Sequence, residues 1–408
     1  MKILFAVTGS IAAYKSYDVV RSLVKLGHEI KVVLTAGATE FIVPNTFRYL
    51  GAQDVFLAGD DFNAQKLSKS ENVVHIELVK WADKLIIAPL SANTLSRLNL
   101  GITNDLLASI FIARGALPTL LFPAMNTEMW NNEKTKKHIK EITNNTTAVI
   151  NPSSGLLACG DIGEGKFPEV NSVVDLVTTF TPGLSTHKKA VITAGATAAP
   201  LDPVRFLTNP SSGKMGLAVA KEFLTAGHDV ILLAGHQCTD AVNNLLLHPN
   251  FSLIKSPTTK VMRDNAVKFF PTADIYISTG AIADIEFEPA QDKIKKESMT
   301  SALEYHQAAD ILKEILSLKK DHQKVVSFAA ETQTTEEVFR EKMTRKPVDL
   351  MVGNKVANGL VGSEELQGFQ TDNGQYYFVT PQKTQGPFPL TKHEVGKKLV
   401  SWFIGSAL

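Results

Sequence analysis

Two cysteines in 408 residues, Cys159 and Cys238, are too few for a disulfide framework or a four-cysteine zinc site. A reducing compartment is therefore expected, and either cysteine acts, if at all, as a thiol. Charge of one sign is equally scarce. The 42 basic residues stand against 41 acidic ones, so there is no basic excess for nucleic acid, and any anion site must be local. Long apolar runs are missing too: none approaches the roughly 18 residues that a bilayer span requires. The run after Met1 turns polar at Thr8, too early for a secretory leader. No membrane association is expected, and a cytoplasmic location is.

What is present is a chain that starts twice. KILFAVTGSIAAYKS at the N-terminus is echoed by KAVITAGATAAPLDP, and each is followed by a helical stretch and a Gly-His-acid turn: Gly27, His28 and Glu29 into IKVVLT, then Gly227, His228 and Asp229 into VILLAG. Each copy reads as strand, small-residue turn, helix and second strand, the opening of an α/β domain. The stretch from Gly195 to Gly227 is 14 residues longer than that from Gly9 to Gly27. Further short apolar runs (Leu85 to Ala88, LPTLLF, DIYIST, VVSFAA, DLMVG) suggest strands buried on both faces, as in parallel sheets covered by helices. Ala82 and Asp83 precede one such run as Ala273 and Asp274 precede another. Two doubly wound parallel-sheet domains are predicted, over 1–183 and 189–408, joined near Pro182 by PGLSTHKK. A β-hairpin around Asp372, Asn373 and Gly374 and a closing helix from about Lys392 complete the prediction.

A strand that ends in a Gly-Ser turn and opens a helix gathers backbone amides at the positive end of the helix dipole. TGSIAAYK, with Gly9 and Ser10, therefore suits a phosphate, although a tight packing turn explains the same residues. APLSANTLSRLNLG places Ser91, Asn93 and Thr94 after a buried strand, where parallel sheets collect ligands and where Ser91 or Asn93 can equally cap a helix. His75, Asn126 at the end of PAMN and Cys159 in GLLACGDIGEGK each have an ordinary structural explanation. Cys159 stands out among Gly155, Gly160, Gly163 and Gly165, because a thiol on such a loop can close over a site and deliver a proton.

Together, TGSIAAYK, the His75 segment HIEL, APLSANTLSRLNLG, PAMNTEMW and ACGDIGEGK resemble in order and spacing the flavin-dependent cysteine decarboxylases, those acting on phosphopantothenoylcysteine above all. The resemblance implies a flavodoxin-like domain with FMN held by Gly9, Ser10, Thr35, Ser91 and Asn93. It further implies His75 as active-site base, Asn126 on the substrate carboxylate and amide, Cys159 as proton donor, and trimers with the flavin between subunits. In that chemistry, oxidation of the thiol-bearing carbon creates a C=S electron sink for loss of carbon dioxide, and a later reduction closes the cycle without a nicotinamide.

The longer second loop, DPVRFLTNPSSGKMG, carries Asp202, Arg205, Asn209, Ser211, Ser212 and Lys214 up to a helix start. Its serines and glycine offer anion-binding amides without the order of a Walker loop, and an ordinary capped helix explains it as well. Asp284, the run Lys293, Lys295 and Lys296, and the set Lys342, Arg345 and Lys346 follow successive strands, so the lysines either face solvent or converge on a polyphosphate. From about Lys189 onward the chain resembles the phosphopantothenate–cysteine ligases of the bacterial CTP-using type, a Rossmann-like domain. The resemblance implies CTP contacts from Ser278, Thr279, Gly280, Asp284, Lys293, Ala308, Ala309, Asp310, Ile311, Phe328, Lys342 and Lys346, with Lys293 also catalytic. Asn209 would act on an acyl-cytidylate, Mg2+ would accompany the nucleotide through ligands the sequence does not identify, and the domain would dimerise. Departures from the family pattern at Ala196, Ala198, Ala199, Thr279, Gly280 and Ala309 leave CTP against ATP open.

The resemblances imply a bifunctional enzyme of coenzyme A biosynthesis that joins 4'-phosphopantothenate to L-cysteine and then decarboxylates the product to 4'-phosphopantetheine. Its partners would be small molecules and its own copies, as decarboxylase trimers and ligase dimers, up to a dodecamer. The alternatives are a decarboxylase of other cysteine compounds and a non-catalytic flavin- or nucleotide-binding regulator, which would have no use for His75, Cys159 and Lys293. Cys159→Ser is expected to stop at the oxidised, decarboxylated enethiol. Normal formation of 4'-phosphopantetheine by that variant, followed by mass spectrometry, would remove Cys159 from proton delivery.

Overall fold

Each of the two chain openings becomes a strand, a loop, a helix and a parallel second strand. A computed structural model describes residues 1–66, 73–186, 188–295, 303–331, 336–356 and 372–406. Contacts divide the chain into Met1–Leu184 and Ser185–Leu408. Lys296 and residues 357–371 lie outside the described residues.

In the first unit, β1 (Lys2–Val7), β2 (Glu29–Leu34), β3 (Asp54–Leu57), β4 (Lys84–Leu90), β5 (Thr119–Pro123) and β6 (Thr147–Val149) form a parallel sheet in the order β3-β2-β1-β4-β5-β6. The helix Lys15–Lys25 buries Ser16, Val19, Val20 and Leu23, a single stripe at helical spacing. It stops at Gly27, whose φ of +82° lets the His28 N–H reach back to Leu23 O at 3.2 Å. An antiparallel hairpin, β7 (Ser153–Leu156) and β8 (Ile162–Lys166), follows the sheet.

The second unit repeats the plan with β9 (Lys189–Ala194). The small antiparallel pair β10 (Ala198–Pro200) and β11 (Phe206–Thr208) occupies the loop that is 14 residues longer. Then come β12 (Asp229–Ala234), β13 (Phe251–Lys255), β14 (Ile275–Ser278), the short pair β15 (Ile285–Glu286) and β16 (His306–Gln307), β17 (Lys324–Glu331), β18 (Leu350–Lys355), β19 (Asn373–Val379) and β20 (Thr384–Thr391). The sheet order is β13-β12-β9-β14-β17-β18-β19-β20, parallel as far as β18 and antiparallel beyond. Gly227, at φ +81°, ends the helix Lys214–Thr225 as Gly27 ends its counterpart, with the His228 N–H on Phe223 O at 3.0 Å. The closing helix is Lys392–Phe403. The late hairpin forms, but its turn is Thr380–Lys383, closed by the Thr380 N–H on Lys383 O at 2.9 Å. Asn373 and Gly374 instead begin β19, where a side chain on Gly374 would stand 3.0 Å from the Tyr376 ring. Among the described residues no helix is long and apolar enough to cross a membrane.

The paired Ala-Asp signals have a shared structural use. The Asp83 carboxylate accepts the Lys2 N–H at 2.7 Å while the Asp83 N–H donates to Lys2 O at 2.8 Å; Asp274 and Lys189 do the same at 2.8 and 2.8 Å. These reciprocal pairs fix the amino ends of β1 against β4 and of β9 against β14.

Beneath the first sheet, Lys84 is 2% exposed and donates from Nζ to Val177 O and Phe180 O, both at 2.8 Å, at the end of the helix Val170–Thr179. Burial lowers its pKa to about 8. Between that value and the ordinary lysine range the unfolded chain binds the proton that the folded one has lost, so stability rises with pH across the window. The first unit's thermal unfolding is expected to move upward from pH 8 to pH 10 relative to Lys84→Met; parallel profiles for the two proteins would contradict it.

Candidate functional site

In the first unit the strand order reverses between β1 and β4, and a crevice opens at the carboxyl ends of the strands. Thr8, wholly buried just past β1, stitches the two strand ends together: its hydroxyl donates to Pro89 O at 2.8 Å and accepts the Ser91 N–H at 2.7 Å. From there Gly9 and Ser10 turn the chain toward the helix Lys15–Lys25. A Cβ at Gly9 would stand 3.1 Å from the backbone of Gly37, so glycine lets the two loops approach. The Ser10 hydroxyl donates to Ala124 O, at the end of β5, at 3.1 Å. Ser91 caps the helix Ala92–Asn99 by accepting the Thr94 N–H at 3.3 Å, worth about 1 kcal/mol by analogy with other caps.

These segments enclose a cleft of about 620 Å³ lined by Gly9, Ser10, Ser91, Asn93, Asn126 and Cys159. Its remaining walls include the half-exposed Phe41, Met129 and Leu156, and Lys15 and Lys166 add positive charge. A polar small-residue cradle at one end and apolar walls beside it fit a flat ring system that carries a phosphate.

Cys159 sits at the exposed tip of the β7–β8 hairpin. Asn126 Nδ2 donates to Sγ at 3.6 Å, and the thiol donates to Asp161 Oδ2 at 3.3 Å. The hairpin is clipped to the Asn126 loop by the Met125 N–H on Gly165 O at 3.1 Å and the Thr127 hydroxyl on Glu164 O at 2.8 Å. Side chains at Gly163 and Gly165 would collide with Thr127 Oγ1 and Met125 O. The glycines around Cys159 thus serve close approach of the hairpin, in addition to any motion.

Thr35 and His75 do not line this cleft. The Thr35 hydroxyl is buried and donates to Val7 O at 3.5 Å. His75 lies in the first turn of the helix Val74–Trp81, with Nδ1 2.7 Å from Asp61 Oδ1. A carboxylate on Nδ1 orients the ring and leaves Nε2 to act. Asp61 was not singled out in the sequence, where it is one of two adjacent aspartates in a polar loop.

In the second unit the order reverses between β9 and β14. Here the Thr193 hydroxyl accepts the Gly280 N–H at 3.0 Å, and the Thr279 hydroxyl donates to Thr193 O at 2.5 Å. The β10–β11 turn is closed by Asp202, which accepts the Val204 and Arg205 N–H groups at 2.8 Å each, the Arg205 guanidinium at 2.6 Å and the Ile294 N–H at 3.2 Å. Burial works to raise the Asp202 pKa, but these donors outweigh it and hold it at about 2. They also fasten the loop that bears Lys293 to the hairpin. Lys293 itself is exposed and stands outside the cleft lining.

A cleft of about 610 Å³ is lined by Asn209, Thr279, Gly280, Asp284, Phe328, Lys342 and Lys346. Asn209 Nδ2 donates to Ile282 O at 3.3 Å, which anchors the β11 loop on the segment after β14. Lys342 pairs with Glu331, and Lys346 with Asp310 at 2.8 Å. Asp310 caps the helix Ile311–Leu318 through the Lys313 N–H at 3.1 Å. Ser278, Ala308, Ala309 and Ile311 do not line the cleft: Ser278 ends β14, Ile311 is core, and the Ala308 N–H donates to Asp284 O at 2.9 Å, bringing Ala308 beside that residue. Sequence reasoning missed Ser327, Asn354 and Lys392, which also line it. The signals were a serine and an asparagine interrupting apolar strands and the first residue of a helix. Burial pushes the Cys238 thiol up to about 11, leaving it inert. Among the described residues no group of three or more histidines, cysteines or carboxylates gathers as a metal site.

Residues 1–181 match the family described as Flavoprotein, and residues 185–405 match the DNA/pantothenate metabolism flavoprotein C-terminal domain. The chain is 37% identical over 363 residues to the Coenzyme A biosynthesis bifunctional protein CoaBC of Bacillus subtilis (strain 168), covering 88% of this chain and 86% of that protein. It is 34% identical over 400 residues to the protein of the same description from Escherichia coli (strain K12), covering 97% and 94%. With that of Haemophilus influenzae it shares 35% identity over 375 residues, covering 90% of each.

Gly165 combines a φ of +131° with a backbone carbonyl where a side chain would go. Gly165→Ala is expected to destabilise the first unit by about 1–3 kcal/mol while leaving the second unit's transition in place. Denaturant unfolding checks this, and an unchanged first transition would show that the clip tolerates a side chain.

Proposed function

Since the chain belongs to the family of coenzyme A biosynthesis bifunctional proteins, we propose that its second unit ligates 4'-phosphopantothenate to L-cysteine and its first unit decarboxylates the product. As a member of that family it is an enzyme with both ligase and decarboxylase activities, and its first unit is of the flavoprotein type.

In the first unit, FMN would be held with its phosphate at the Gly9–Ser10 turn and its ring against the apolar walls near Ser91 and Asn93. Bound there, it supplies the hydride acceptor and donor of the reaction. Asn126, fixed by the Glu128 N–H on its Oδ1 at 2.8 Å, orients the substrate carboxylate and amide. Cys159 Sγ gives up its proton to the substrate carbon, and Asp161, which accepts from the thiol at 3.3 Å, holds it at the cleft wall. His75 is read as the base of a cleft completed by a neighbouring subunit of a trimer, because it stands outside the lining of its own. Thr35 then acts through the backbone it supports.

In the second unit, an amine does not displace oxide from a carboxylate, so the carboxylate must first be activated. CTP with Mg2+ is the reading for this step: CMP transfers to the carboxylate of 4'-phosphopantothenate, pyrophosphate leaves, and L-cysteine displaces CMP. Lys342, Lys346 and the amides at the Gly213–Lys214 helix start face the anionic groups, and Asn209 orients the acyl oxygen. Lys293 would reach the cleft from its tethered loop. Small-molecule substrates, a ligase dimer and a cytoplasmic location belong to the same reading.

The observation that carries the decarboxylase is the approach of Asn126 to Cys159 at 3.6 Å on the cleft wall. Purified protein incubated with 4'-phosphopantothenate, L-cysteine and either CTP or ATP is expected to form the cysteine adduct and release carbon dioxide. No adduct with either nucleotide would sink the ligase, and an adduct without carbon dioxide would sink the decarboxylase.

A further inference from the structure

The ligation proposed above uses two phosphate-bearing substrates, and of the five cations that line the cleft, Lys342, Arg345 and Lys346 come from one end of the helix Glu336–Arg345 and its flank. That helix packs on the sheet face formed by Val325, Ala329 and Met351. The opposite face, with Val326, Val352 and Phe378, is covered by the helices Lys214–Thr225 and Lys392–Phe403. These two run side by side in the same direction. A Cβ at Gly396 would stand 3.3 Å from Ala218 O and 2.8 Å from Glu222 Cγ, and the rings of Phe403 and Phe223 meet at 5.8 Å near the far ends. Gly396 and Ala218 are each four residues past their helix starts, so Lys392 and Lys214 stand level at the carboxyl edge of the sheet.

Both lysines line the cleft, and Lys392 is 6% exposed. The two residues meet at Asp372: Lys214 Nζ is 3.6 Å from its carboxylate, and the Lys392 backbone N–H donates to its carbonyl at 3.0 Å. The start of the closing helix is already filled by a capping box between Thr391 and Glu394, so it contributes an ammonium. Gly213, at the N-cap of the helix Lys214–Thr225, has no side chain to cap it, so that helix start brings amides as well. A second, independent sign of a ligand is Asn354. It lies on the same sheet face, is buried at 9% exposure, lines the cleft, and has an Oδ1 without a hydrogen-bond partner among the described residues. Such a group is costly to bury unless a ligand answers it, and the amide can present either end.

We propose that Lys392, with Lys214 and the helix start beside it, forms a second phosphate subsite of the ligase cleft, on the face opposite to Lys342 and Lys346. The ligand is a phosphoryl anion, carried either by the nucleoside triphosphate or by 4'-phosphopantothenate. The subsite rests on the ligase reading above, and it makes the closing helix part of the substrate site. Lys392→Gln and Lys392→Arg in the full chain, assayed for ligation with each substrate varied in turn, test it. The second unit's denaturant-unfolding transition in the same preparations reports folding of the part that carries Lys392, and inhibition by inorganic pyrophosphate gives a probe other than the substrates. The Gln variant is expected to raise the KM of at least one phosphate-bearing substrate tenfold or more, leave that of L-cysteine within twofold, and weaken pyrophosphate inhibition. The Arg variant recovers most of the loss. Which KM moves identifies the source of the phosphate. Phosphate-substrate KM values within twofold of wild type, or a fall in kcat alone that Arg does not recover, would overturn the subsite. Absence of ligation by the wild-type protein would fail the ligase reading itself.

Discussion

Both clefts depend on a threonine hydroxyl where the sheet reverses its winding. Thr8 accepts the N–H of Ser91 and Thr193 accepts that of Gly280, so in each unit the first strand's end is bonded to the start of the loop beyond the fourth. A parallel sheet that splits its loops to opposite faces leaves backbone groups pointing into the crevice, and buried groups of this kind must find partners. The threonine supplies one at 2.7 Å in the first unit and 3.0 Å in the second. With the aspartate brackets of Asp83 and Asp274 at the other ends, the central strand pair of each unit is pinned at both ends, and the loops that carry chemistry hang from a fixed frame.

That frame explains why similar openings support different sites. The first loop goes directly from Gly9 into a helix and leaves room for a cleft whose walls are mostly apolar. The second carries the β10–β11 hairpin, and Asp202 converts the hairpin's turn into an anchor for the Lys293 loop. The resulting cleft is cationic. One site suits chemistry in which electrons move through an apolar slot; the other suits chemistry in which negative charge accumulates on oxygen.

Much of the architecture was legible from the sequence because it is local. The strands β1, β2, β4 and β5 and their counterparts in the second unit are continuous apolar runs, and Gly27 and Gly227 are the terminators their positive φ requires. The strands β3, β6 and β13 were not singled out, since they are short and lie at or near sheet edges. Asn373 and Gly374 looked like a turn because Asn-Gly favours one, but the glycine makes room for Tyr376. In the sites, Gly9, Ser10, Ser91, Asn126 and Cys159 converge from loops that the motifs already marked. Asp61 lies in a polar loop, and the cues at Asn354 and Lys392, a polar residue in an apolar strand and a helix start, do not by themselves mark a site. Each matters through a partner or a neighbour distant in the chain, and only the packing of helix on sheet brings them into place.

The hairpin that holds Cys159 is tied down by carbonyl oxygens of Gly165 and Glu164, and the residues of its tip, Leu157 to Asp161, take no part in those ties. The scaffold therefore separates fastening from presentation. For protein engineering, this makes the tip a replaceable cassette: libraries varied at Leu157 and Ala158 can retune the surroundings of the Cys159 thiol without touching the knots that secure the loop, while Gly160, at φ +92°, stays glycine.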